Sequence, residues 1–178
     1  MKSMDRKPVV FIFIFGVALI IFSLSSFAAD SSLQRLSRIS SEIKGIKNSA
    51  AIGVLFGSRY MSYESESFSV GGAGYTGQIS GGAAGSFSYG GILVGYTHSF
   101  AKKAELELSL LGGGAGGFQA ATTGGGVVLE PSVALNFLLG KTVRICLNSG
   151  YAWVPSLTAF SGITLGLRFD FLLNGVME

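Results

Sequence analysis

The sequence predicts an all-β fold, an antiparallel transmembrane β-barrel, and three observations predict it. From Ala50 towards the C-terminus, apolar residues recur at every second position, the period of a strand with one apolar and one polar face. Charged residues make up only 13% of the 178-residue chain, while glycine supplies 27 residues. A soluble sandwich of this size carries far more lysine and glutamate, so the apolar faces here belong outside, against lipid, and the polar faces inside. The alternating segments also run for about ten residues, the length a tilted strand needs to cross hydrocarbon. A chain of this length makes one domain, and closure into a barrel satisfies every backbone group in a bilayer.

The elements follow in order. Residues 1–28 read as a signal peptide: a basic stretch from Met1 to Lys7, an unbroken apolar run from Val9 to Leu24, and small residues at Ser26 and Ala28 before a cleavage point at Ala29. The net charge of +3 falls to about +1 once Lys2, Arg6 and Lys7 are removed with Asp5, so no nucleic-acid or acidic partner is implied. Residues 29–49 read as a short amphipathic helix. Leu36, Ile39, Ile43 and Ile46 form one apolar stripe, with Leu33 a turn earlier, and Arg35, Arg38, Lys44 and Lys47 lie off it. Such a helix packs under the barrel mouth in the periplasm, or lies on the membrane surface.

The barrel is expected over residues 50–172, with 173–178 a tail. Ile52, Val54, Phe56 and Tyr60 share one face of the first strand. Ile92, Val94, Tyr96 and Phe100 do so in a second, and Leu106, Leu108 and Leu110 in a third. Val127 to Phe137 and Val143 to Trp153 alternate in the same way, and Ile163, Leu165, Leu167, Phe169 and Phe171 give the plainest strand of all. Ala101–Lys103 and Leu139–Lys141 read as tight turns, Gly112–Gly126 and Val154–Phe160 as longer loops. Glu64 to Tyr89 is weakly patterned: one long loop makes six strands, two strands near 65–75 and 78–88 make eight. Single-chain barrels start at eight strands, which favours the second count.

The segment from Ser161 to Phe171 resembles the closing strand of bacterial outer-membrane β-barrels, in which alternating apolar residues end on an aromatic that serves as an assembly signal. The resemblance to small porin-like outer-membrane barrels covers roughly residues 50–171. It implies an integral protein of the Gram-negative outer membrane whose partners are outer-membrane lipids and, during biogenesis, the barrel-assembly machinery.

Six charges fall on the inward parity: Glu105, Glu107, Glu130, Arg144, Arg168 and Asp170. An eight-stranded barrel has room inside only for side chains, so these charges must pair with one another. Pairing Trp153 with Ser161 sets Arg144 opposite Asp170 and Cys146 opposite Arg168, and the turn at Leu139–Lys141 sets Arg144 beside Asn136.

Catalysis and cofactors find little support. Gly112 to Gly117 matches G-x-G-x-x-G, but no amphipathic helix follows to hold a pyrophosphate, so the run reads as a surface loop. Cys146 and His98 are single, so neither a disulfide nor a zinc cluster can be built on them. The chain also resembles the lipid A palmitoyltransferases in setting a short helix before eight strands. Those enzymes need a histidine near the outer leaflet, whereas His98 lies near a periplasmic turn on the lipid-facing parity. The expected role is structural or surface-interacting with a plugged lumen; a narrow solute channel and a lipid-modifying enzyme are the alternatives.

Overall fold

The computed structural model describes residues 37–173 except 50, 66, 82–83, 120–121 and 141. Eight antiparallel strands close in sequence order: β1 Ser37–Lys47, β2 Ala51–Tyr63, β3 Phe68–Gly81, β4 Gly85–Ala101, β5 Ala104–Gln119, β6 Thr122–Leu138, β7 Val143–Ala152 and β8 Gly162–Leu173. Closure is made by β1 against β8. Apolar side chains point outward and stay exposed, as at Ile52 (60%), Ile92 (67%) and Leu165 (63%), while the alternate positions turn into the lumen.

Three expectations are corrected. Ser37 to Lys47, expected as most of a helix, is the first strand, alternating buried and exposed along its length; residues 29–36 and the signal peptide lie outside the described residues. Ile39, Ile43 and Ile46 satisfy helical spacing, but read at period two the same stretch sets Arg38, Ser40, Glu42 and Lys44 on one face. That face meets counter-charges inside the barrel, and β1 also supplies the backbone partners that β2 and β8 need. The β-branched and serine content of the stretch resists a helix only weakly, so tertiary demand decides.

Gly112–Gly126, expected as a loop, is mostly strand: β5 and β6 continue to Gln119 and from Thr122, leaving a connection of residues 120–121. Glycine there serves curvature. Gly91 and Gly113 face each other across β4 and β5 on the inner side, and a Cβ on either would come within 2.6 Å of the other's Cα. The weak stretch 64–89 supplies one strand, β3, and the start of β4. The eighth strand is therefore β1.

The chain enters the barrel at Ser37 and leaves it at Leu173 on one rim, here the proximal rim, which also carries the connections 64–67, 102–103 and 139–142. Gly140 takes φ +124° in the last of these. The distal rim carries 48–50, 82–84, 120–121 and the longest connection, 153–161, with a short 3₁₀ turn at Thr158–Phe160.

Candidate functional site: the filled lumen

The lumen has two tiers. The proximal tier is charged. Five cations (Arg38, Lys44, Arg59, Arg144, Arg168) and five carboxylates (Glu42, Glu105, Glu107, Glu130, Asp170) are buried there, each at a position that strand alternation turns inward. The β7–β8 register sets Arg144 opposite Asp170 and Cys146 opposite Arg168, the pairing the sequence suggests. Arg144 Nη2 donates to Asp170 Oδ2 at 2.9 Å and its Nη1 to Glu105 Oε2 at 2.5 Å. The neighbour expected on β6 is corrected: Arg144 pairs in register with Leu138, and Asn136 with Cys146. The β6–β7 connection takes in one residue more than Leu139–Lys141, because Leu139 N–H bonds the Val143 carbonyl, and the register moves by two. Asn136 accepts from Arg168 Nη2 and donates to Glu107, both at 3.3 Å.

Glu107 sits where three strands converge. Arg38 Nη1 reaches its Oε2 at 2.7 Å and Arg168 Nη2 at 2.9 Å, while Arg59 Nη1 stands 3.7 Å from Oε1. Asp170 likewise takes Arg168 Nε at 2.7 Å and lies 3.5 Å from Arg38. Higher in the barrel, Glu42 accepts from Arg59 Nε (2.8 Å), from the Tyr75 hydroxyl (2.7 Å) and from Asn148. Glu130 holds Lys44 Nζ at 2.8 Å, with Tyr89 and Thr164 donating to it at 3.0 and 2.9 Å. The Lys44 ammonium also lies 3.7 Å from the centre of the Tyr75 ring, a cation–π contact that offsets part of its desolvation.

All six charges singled out in the sequence lie in this tier. Of the four others, Arg38, Glu42 and Lys44 were hidden by the helical reading of residues 29–49, whereas Arg59 falls on the polar face opposite Ile52, Val54 and Phe56 and is absent from that count. Counting inward charge would have exposed the gap: the six comprise four carboxylates and two arginines, and a closed lumen does not tolerate that imbalance.

The distal tier is apolar. Leu55, Ile79, Phe87, Leu111 and Val128 fill it from the walls, and the β7–β8 connection closes it from above with Val154 and Phe160, both buried. The Phe160 ring stacks on Phe87 with centroids 4.8 Å apart and planes at 4°. Asn48 Nδ2 donates to the Ala159 and Ser161 carbonyls, and the Ser161 hydroxyl bridges the Val154 N–H and C=O. These bonds hold the connection down over the mouth.

The chemistry available to this arrangement is that of mutual neutralisation. Cys146 is buried and donates to Asp170 at 3.3 Å. His98 is on the outward face of β4, paired in register with Leu106, the opposite face from the lumen charges. Among the described residues no group of His, Cys, Asp and Glu is arranged to hold a metal ion.

No family model and no curated protein matches the chain, whereas solved structures do. Neisserial surface protein A superposes with a TM-score of 0.60 at 8% identity, covering 77% of this chain and 96% of that one. The N-terminal β-barrel domain of Pseudomonas aeruginosa OprF gives 0.54 at 12% identity, over 79% and 100% of the two chains. The outer membrane protein OprG from Pseudomonas aeruginosa gives 0.52 at 8% identity, over 78% and 96%. At such identities the likeness is one of fold: the closed eight-stranded antiparallel barrel of small outer-membrane proteins.

Proposed function

We propose that this protein is an integral outer-membrane β-barrel with a structural or surface-interaction role and no conducting path. The distribution of its side chains carries the reading: exposed apolar residues on the outer wall, and inside it a charged tier that neutralises itself beneath an apolar tier with its own cover. An exterior of that kind suits lipid. An interior of that kind leaves an ion no hydrated route, since stripping its water costs several kcal/mol in a medium that offers no free counter-charge. The proximal rim, where β1 begins at Ser37 and β8 stops at Leu173, faces the periplasm, and the distal rim faces outward. The partners that follow are outer-membrane lipids and, in biogenesis, the barrel-assembly machinery.

Planar-bilayer recording on the refolded protein tests the function directly. The expected result is no unitary conductance from protein that shifts on unboiled gels, as a closed barrel does. Steady channel events from that material would move the reading to a narrow solute pore. An enzyme reading would route any histidine chemistry through His98, on the outer wall near the proximal rim; unchanged lipid A in cells with and without the gene product is the expected outcome.

A further inference from the structure

The barrel wall is complete around its proximal half but not around its distal half. β6 pairs with β7 only from Ser132 to Leu138, with one further bridge between Leu129 and Trp153. Between them stands Pro131, which has no N–H for the ladder. At Leu129 both the N–H and the C=O bond Trp153, at 3.0 and 2.8 Å, so the odd-numbered residues of β6 direct their backbone groups to the β7 side. Above Leu129 those residues are Val127, Gly125 and Thr123, all exposed, and β7 has already ended at Ala152. Among the described residues their N–H groups have no partner on that side, and the one bond made to the edge there is from the Ser156 hydroxyl to the Gly125 carbonyl at 3.2 Å. On its other side the same stretch is fully paired with β5.

We infer that the distal edge of β6, Thr123 to Val127, is a docking site for an extended, uncharged segment of another protein, which adds to the wall as a further strand. Unpaired backbone groups at strand spacing are complementary to an extended backbone and to little else. Exposed edges are normally blunted by lysine, by proline along the edge or by a bulge. Here no charged residue follows Glu107 in β5, precedes Glu130 in β6, or occurs in the 153–161 connection. A segment bearing lysine or glutamate would therefore find nothing to pair with, and small or β-branched residues fit beside Gly125 and Val127.

A second copy in the same membrane does not fit the edge. Two such copies are related by an axis along the membrane normal, and strands tilted by about 40° in each would cross at roughly twice that angle, too steep for a ladder. The described chain starts and stops at the opposite rim, at Ser37 and Leu173. The outward direction of the edge rests on the proposed outer-membrane orientation; its open hydrogen bonds do not.

The test uses the full barrel in detergent micelles, its folding checked by gel shift, and a dye-labelled peptide of alternating threonine and valine. The inference expects saturable binding, with amide resonance shifts centred on Thr123, Gly125 and Val127. Gly125→Pro removes a donor from the open edge while leaving the β5 ladder intact, and binding should weaken at least tenfold. Should that variant misfold, the same peptide N-methylated at alternate residues, added to the unaltered barrel, should lose binding to the same extent. Absent saturable binding, equal binding of the methylated peptide, or self-association of the barrel through these amides would each overturn the assignment. Because the assay needs no bilayer, its failure leaves the membrane reading standing, and a conducting barrel that still bound the peptide would leave the edge standing.

Discussion

Lys44 answers chiefly to Glu130, at 2.8 Å, with Glu42 farther away at 3.7 Å, whereas Asp170 answers to three guanidinium groups. The difference gives the two sites different mutational signatures. Removing one member of a buried pair strands the other's charge and typically costs about 3–5 kcal/mol. Glu130→Gln should thus lower the temperature at which the barrel unfolds on heated gels, and Lys44→Met combined with it should recover much of the loss. Asp170→Ala should cost a similar amount, yet Arg144→Ala combined with it should recover less, because Arg168 and Arg38 remain short of a partner. Equal recovery in the two cycles would mean that Asp170 does not join the arginines as described. At Gly140, φ +124° is a conformation that a Cβ disfavours, so Gly140→Ala should destabilise by about 1 kcal/mol or somewhat more in urea titration, with no effect on the lumen.

At the scale of the element, β1 is the strand on which both closure and charge balance depend. Without it β2 and β8 have bare edges, and Glu107 and Glu130 lose Arg38 and Lys44. A chain starting at Ala50 should fail to gain protease resistance on refolding in detergent, while one starting at Ser31 should gain it; equal resistance would make β1 dispensable. On β8, Leu167→Arg places a charge near the middle of the outward face and should cost roughly 2–4 kcal/mol in bilayer unfolding, far more than Thr164→Ser on the lumen side. β8 was legible from the sequence because its alternation is uninterrupted, and the β7–β8 register followed from matching inward charges. β1 was not legible, because Ile39, Ile43 and Ile46 obey a helical period as well as two of them obey a strand's, and only the distant carboxylates decide between the two. The distal halves of β5 and β6 were hidden for another reason: glycine carries no hydropathy period, so a strand built from it to satisfy curvature looks like a loop.

On the scale of the whole molecule, the two tiers seal the lumen independently. Deleting residues 155–160 should remove the Phe160 cover and loosen the apolar tier, but the barrel should still fail to conduct, since the charged tier beneath remains neutral and filled. Current through that variant would place the seal in the cover alone. The stacking of the tiers also bears on how such a barrel gets into a membrane. If it inserts from the periplasm, the distal rim leads, and its four connections, 48–50, 82–84, 120–121 and 153–161, contain no charged residue. Among the described residues of that half, Lys47 is the one exposed charge. Each charge carried to the centre of a bilayer costs on the order of 3 kcal/mol even on lenient scales, and here nearly all of them trail behind in the proximal half. The leading half therefore meets hydrocarbon with glycine, alanine, serine and aromatic side chains, and outside the open edge of β6 the backbone to be desolvated is already satisfied by its own ladder.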